Sequence, residues 1–192
     1  MAGVDLPFAC TCNTLLGTLL GVSGSNGTRA ACFCTDCRAA EVYAGQPDPA
    51  PGPVHLYQTT PDKVRFDAGL DQLVVFSFSP KGLLRWQAKC CGAILFNTVR
   101  SPKVPFASLR TDRLTDTSAL GPVVAQAFVR KPDGTQGHQG GSRFVLGMLT
   151  RVLPCLLSGR WKRTPFFDVA TGAPIREVHI VPKADRAALP LP

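Results

Sequence analysis

The chain has 192 residues, 45% hydrophobic and 18% charged, a composition that belongs to a folded globular chain and excludes a disordered one. No run reaches the ~18–20 apolar residues of a membrane span. The formal net charge is +8, and all of the excess lies in the second half: residues 1–97 carry seven Lys and Arg against seven Asp and Glu, residues 98–192 fourteen against six. The 18 Gly and 17 Pro predict many turns and little long helix. The first residues, Met1 to Pro7, hold neither a basic n-region nor an apolar h-region. No signal peptide is expected, and the expected location is cytoplasmic. Clustered cysteines in that compartment read as metal ligands rather than disulfides.

In chain order, Cys10-x-Cys12 and the turn residue Asn13 read as a metal knuckle leading into a strand over Leu15–Leu20. Ser23 to Gly27 is a turn, because Asn-Gly suits the positive-φ positions of a hairpin. Thr28 to Phe33 is a strand that delivers Cys32 and Cys34. Cys32-Phe33-Cys34-Thr35-Asp36-Cys37-Arg38 places three thiols within six residues. That spacing suits three thiolates converging on one soft metal, above all zinc, with Zn–S bonds of about 2.3 Å. A structural zinc is closed by four ligands, whereas a catalytic zinc keeps one position open. The sequence leaves both outcomes standing here: an open three-cysteine site, or a fourth ligand from elsewhere.

A short helical turn is expected after Arg38-Ala39-Ala40, then a loop over residues 46–53, where four prolines leave few backbone donors. Strands are expected over residues 54–59, 64–66, 73–79, 83–89 and 93–97, with the Cys90-Cys91-Gly92 turn before the last. Residues 121–131 read as a mixed strand or short helix, and 131–143 as a surface loop. Residues 144–158 are the one good helix, with Phe144, Met148, Val152 and Leu156 on one face and Pro154 expected to kink or shorten it. Its all-round apolar character fits a buried helix or a homodimer interface. The tail from Ala184 to Pro192 is expected to be loosely ordered.

The three cysteine groups, Cys10-x-Cys12, Cys32-x-Cys34-x-x-Cys37-Arg38 and Cys90-Cys91-Gly92 after Arg85-Trp86, resemble in order and spacing the glutathione-dependent formaldehyde-activating enzyme family, which shares its domain with centromere protein V. The resemblance covers about residues 8–97. It implies a mainly β, Mss4-like zinc-bound fold of several small curled sheets over residues 1–100. Residues 101–192 would then be a basic C-terminal α/β extension packed on it, containing the apolar helix. It implies a structural zinc on the first and last groups, through Cys10, Cys12 and Cys91, and a second, catalytic zinc on Cys32, Cys34 and Cys37. The implied chemistry is that of a carbon–sulfur lyase or glutathione-adduct enzyme acting on a thiol and a formaldehyde-like electrophile. Arg38 reads as a surface or structural salt bridge before a partner for a substrate carboxylate.

Two departures bear on the structural site. Ala88 stands where the first cysteine of the last motif belongs, and Cys90 is extra. Adjacent residues alternate faces in a strand, so Cys90 and Cys91 reach one zinc only from a tight turn. Either Cys90 substitutes for the missing ligand, which is the favoured reading, or the site is three-coordinate. Seven clustered cysteines suit four plus three ligands.

Other polar residues read more plainly. Asp36 reads as a solvated turn residue before a general base, and His55, His138 and His179 as ordinary packed or loop residues. Cys155 reads as a core thiol. Arg160-Trp161-Lys162-Arg163 reads as a solvated helix end rather than a nucleic-acid site. The alternative to an enzyme is a non-enzymatic zinc binding module whose basic half holds an anionic partner.

Overall fold

Short runs of β-branched and aromatic residues between Gly- and Pro-rich turns make the chain mainly β. The computed structural model describes residues 3–190. The strands are β1 (Val4–Ala9), β2 (Leu16–Val22), β3 (Thr28–Cys32), β4 (Val54–Thr59), β5 (Val64–Ala68), β6 (Leu73–Ser77), β7 (Leu84–Ala88), β8 (Ile94–Thr98), β9 (Ala107–Arg110), β10 (Val123–Arg130), β11 (Gln136–Gln139) and β12 (Val178–Ile180). The helices are α1 (Thr35–Tyr43), α2 (Gly141–Leu157) and α3 (Lys183–Ala187). No helix is long and apolar enough to cross a membrane.

A three-stranded sheet has the order β1-β2-β5, and a nine-stranded sheet the order β11-β10-β3-β4-β9-β8-β7-β6-β12. The nine-stranded sheet crosses residue 100. Its strand β9 lies between β4 and β8, pairing antiparallel with both. β10 joins β3 in parallel, and β12 joins β6 in parallel. Pro7, which cannot donate to a ladder, sits on edge strand β1.

The core fills the space between the two sheets. Phe8 meets Phe96 edge-on at 5.1 Å, and Phe166 lies 5.1 Å from Trp86, 5.3 Å from Phe96 and 5.9 Å from Phe66. Trp86 is fully buried, and its indole N–H is satisfied by donating to Thr98 Oγ1 at 2.9 Å. Phe166, supplied by the second half, is fully buried among rings of the first. Phe166→Ala is therefore expected to cost about 3–5 kcal/mol through a cavity in the aromatic cluster. Urea denaturation checks it; a change below 1 kcal/mol would mean the second half does not complete this core.

Several sequence expectations are corrected. Residues 131–143 are not all loop: Gln136–Gln139 form β11, a hairpin partner of β10. Turn residues dominate that stretch, and pairing with β10 overrides their low strand propensity. The helix after the three-thiol stretch begins at Thr35, so it includes Cys37 and Arg38. Pro154 does not end α2, which runs on to Leu157. Residues 183–187 form α3, while Leu191 and Pro192 lie outside the described residues. Only one face of α2 is half-buried; Leu146 is 64% and Leu157 81% exposed.

Candidate metal centres

Two groups of thiols converge among the described residues, Cys10 with Cys12, Cys90 and Cys91, and Cys32 with Cys34 and Cys37; within each, the sulfurs lie within 4.8 Å of one another. All eight cysteines are free. Tetrahedral zinc with bonds of about 2.3 Å requires sulfurs roughly 3.8 Å apart. The separations run from a little below that value to just above it: 3.1 Å for Cys12–Cys90, 3.5 Å for Cys10–Cys12, 3.8 Å for Cys10–Cys90 and 4.0 Å for Cys90–Cys91, and 3.3 Å for Cys32–Cys34 and 3.5 Å for Cys37–Cys32. Both donor sets fit a soft divalent metal.

The four-thiol group is built by two turns. After β1 the chain folds back so that the Cys10 N–H donates to the Leu15 carbonyl, and Leu15 N–H to Cys10 Sγ at 3.3 Å. Asn13 occupies the left-handed region at φ 57°, which Asn tolerates. The β7–β8 turn holds Cys90 and Cys91 off the ladder, so the alternation of a strand does not apply to them. Gly92 closes this turn at φ 72°, donating to the Ala88 carbonyl at 2.8 Å. A Cβ at Gly92 would stand 2.0 Å from the Ala44 carbonyl oxygen, so the close approach requires glycine. Ala88 is fully buried in β7 and offers no ligand; Cys90 joins the group in its stead.

The three-thiol group is built by the β3–α1 junction. Cys32 ends β3, and Cys34 caps α1, accepting from the Cys37 N–H at 3.3 Å. Cys37 lies in the first turn of the helix. Asp36 in that turn and the buried Ala39 and Ala40 explain why a helix starts here. The far end of α1 reaches the other group, where Gln46 Nε2 donates to the Cys91 carbonyl at 2.9 Å. The two groups thus lie at opposite ends of a nine-residue helix, about 13 Å long.

Electrostatics single out Cys34. Donation from Cys32, then from Cys37, with the Arg85 guanidinium nearby, holds its thiol far below the usual range. The same sharing raises Cys32 to about 11 and pushes Cys37 further up, with burial adding to both. Arg85 on β7 is 5% exposed, makes no ion pair among the described residues, and has a buried Nε without a partner. One of its Nη atoms donates to the Asp36 carbonyl at 3.2 Å. A divalent metal with three thiolates carries a net −1 charge, and Arg85 is placed to balance it.

Behind the thiols lies a cavity of about 10 Å³, room for one water, lined by Cys37, Glu41, Asn97 and Arg110 among others. Arg110 pairs with the buried Glu41 and, at 2.9 Å, with Asp112. An open cleft of about 610 Å³ is lined by Phe33 and Thr35, the chain neighbours of Cys34, by Arg38 and Asp48, and by Phe128, Arg130 and Gln136 of the β10–β11 hairpin; none of the three thiols lines it. Phe128 is held at φ 60°, strain that costs of order 1–3 kcal/mol, with its N–H donating to His138 Nδ1 at 3.4 Å.

Other expected site residues fall as follows. Arg38 lines the cleft but forms a two-point pair with Asp48, at 3.0 and 2.6 Å. Asp36 pairs with Arg186 of α3. His179 stacks on Tyr43 at 6.4 Å, and His55 is half-buried with Nδ1 unpartnered. Cys155 is fully buried against Asp62, apart from both groups. Sequence reasoning passed over Glu41, Arg110 and Phe128. Arg110 carried a usable signal, a lone charge ending an otherwise buried strand; Phe128 carried none, because its role follows from a bulge.

Comparison with curated proteins finds no match. Among solved structures, the chain is similar to a Rhodobacter sphaeroides protein whose crystal structure was a structural genomics target, with 18% identity and a TM-score of 0.42 over 61% of this chain and 96% of that one. A family match spans residues 1–179, and on that extent the chain belongs to the family of unknown function DUF6151.

Proposed function

We propose that this chain is a two-zinc protein of the glutathione-dependent formaldehyde-activating type, with a structural zinc on Cys10, Cys12, Cys90 and Cys91 and an open, catalytic zinc on Cys32, Cys34 and Cys37. The observation that carries this reading is that no fourth His, Cys, Asp or Glu ligand atom joins the three thiols among the described residues, while Phe33 and Thr35, on either side of Cys34 in the chain, line an open cleft. Bound zinc would supply one free position at which a substrate thiol is held as its thiolate.

The chain's own residues do the rest. α1 presents its N-terminal dipole to the three sulfurs, and Arg85 balances their charge. The cleft admits a small thiol such as glutathione, whose carboxylates suit Arg130 better than Arg38, since Asp48 already occupies the Arg38 guanidinium. The reaction class is carbon–sulfur bond formation or cleavage. The thiol sulfur bonds to the aldehyde carbon, the carbonyl π pair moves to oxygen, and the thiol proton ends on that oxygen as a hemithioacetal; cleavage is the reverse. The Mss4-like unit would run past residue 100, since β9 lies between β4 and β8, and the later residues would be its basic extension. Free thiols throughout suit a reducing, cytoplasmic compartment.

Exchange between ¹³C-formaldehyde and its glutathione adduct, followed by NMR, tests the reading. The zinc-loaded protein is expected to accelerate exchange over the spontaneous rate, and Cys34→Ser to abolish the acceleration. Exchange at the spontaneous rate with two zincs bound would overturn it.

A further inference from the structure

At the other end of β3 from the thiols, a cavity of about 230 Å³ lies between that strand, β10 and α2. Three arginines from two elements line it: Arg29 of β3, and Arg143 and Arg151 of α2. Ser25, Thr28 and Thr150 add hydroxyls, and no carboxylate lines it. None of the three arginines makes an ion pair among the described residues.

The two inner arginines are poorly compensated. Arg151 donates to neutral acceptors only, Thr28 Oγ1 at 2.6 Å and Gln58 Oε1. Arg29 makes one long bond, 3.4 Å, to the Gly121 carbonyl. The Nε atoms of both are buried without a partner, although buried donors and charges are ordinarily paired. Burial also lowers the Arg151 pKa, opposed only by the Tyr57 phenol and by no carboxylate. Gly147 belongs to the same construction. Mid-helix glycine is unfavourable, yet a Cβ there would crowd Thr28 Oγ1 at 2.8 Å and Arg151 Nη1 at 3.3 Å. Glycine leaves room for the guanidinium to cross the helix into the cavity.

We propose that the cavity between β3, β10 and α2 binds a phosphate group through Arg29, Arg143 and Arg151. Convergent guanidinium forks and hydroxyls match the geometry of phosphate oxygens, and an anion there would supply the missing counter-charge. A second cavity of about 260 Å³ shares Ser25, Thr150 and Arg151 and adds Lys63 and Arg160. The ligand class is therefore a phosphomonoester or diphosphate with room beyond the first phosphate. The phosphate comes either from a soluble molecule or from a lipid headgroup, since Leu146, Leu149 and Leu153 are exposed on the outer face of α2.

The test uses the zinc-loaded 192-residue chain, with inorganic phosphate and pyrophosphate as probes against sodium chloride of equal ionic strength, zinc content being measured after each. Both probes are expected to raise the melting temperature, by about 5 °C or more at a hundredfold excess over the dissociation constant. Arg143→Gln, at an exposed helix position, and Arg29→Gln are each expected to weaken phosphate binding about tenfold or more in calorimetry. Arg130→Gln, in the cleft that Phe33 and Thr35 line, is expected to leave it unchanged. Vesicles of phosphatidic acid in phosphatidylcholine distinguish the sources. Sedimentation with them that is lost in Arg143→Gln assigns a lipid headgroup; phosphate binding in solution without sedimentation assigns a soluble ligand. The proposal is overturned if neither probe acts beyond the chloride control and the vesicles do not bind, or if Arg143→Gln and Arg29→Gln bind phosphate as the unaltered chain does.

Discussion

On the proposed two-zinc reading, Cys34→Ser is expected to lower the zinc content from two ions per chain to one while the fold survives. Cys34 has two separable roles. Its sulfur lies 3.3 Å from that of Cys32 in the three-thiol group, and it also caps α1 by accepting from the Cys37 N–H. Serine is a good N-cap residue, so the substitution keeps the helix start, the capping contribution itself changing by no more than about 1 kcal/mol, while the stabilisation that a bound ion gives is lost with the ion. What it removes is the soft thiolate, and a site left with two thiolates from this chain holds zinc weakly. Native mass spectrometry reads the stoichiometry, and urea denaturation reads the fold. Cys155→Ser, whose thiol is buried against Asp62, is the control and should keep both ions. Two zincs retained in Cys34→Ser would remove the three-thiol group as a metal centre.

Stripping the four-thiol group is expected to unfold much of the chain. This group ties the turn after β1 to the β7–β8 turn, with Cys10 and Cys90 eighty residues apart in sequence. Cys10 is 2% exposed and belongs to the main core cluster. Structural zinc sites contribute apparent free energies of about 10–16 kcal/mol, as much as the about 5–15 kcal/mol that separates a folded domain from its unfolded chain. Cys10→Ala is therefore expected to give protein without a cooperative melting transition, and a strong chelator to do the same to the unaltered chain. Circular dichroism melting, with and without chelator, measures both. A transition unchanged by chelator, with the metal shown to be gone, would mean that the aromatic core alone carries the fold.

Local spacing explains which parts of the site were legible. Cys32, Cys34 and Cys37 are brought together by one strand end and the first turn of one helix, so six residues suffice to predict their convergence. The substitution of Cys90 for the absent cysteine at Ala88 was legible as an alternative, because only a turn lets neighbouring side chains face one point. The turn itself depends on Gly92 meeting the Ala44 carbonyl at the far end of α1, which no local pattern reveals.

The strands read unequally for the same reason. β6 and β8 announced themselves by apolar content, whereas β9, Ala-Ser-Leu-Arg, has little strand character and exists because β4 and β8 leave a gap in the sheet. β11 exists because β10 offers it a ladder.

Taken by itself, the sequence determined a mainly β chain, the grouping of seven cysteines into four and three, and the excess of positive charge in the second half, since composition and short-range spacing carry all of these. Only the tertiary structure decided that Arg38 is engaged by Asp48 while Arg85 faces the thiols, that the β10–β11 hairpin walls the cleft, and that Arg29, Arg143 and Arg151 share a cavity without a carboxylate. Each of these joins residues far apart in sequence. Such pairings are selected by burial and ladder completion across the whole sheet, and those forces leave no local mark on the chain.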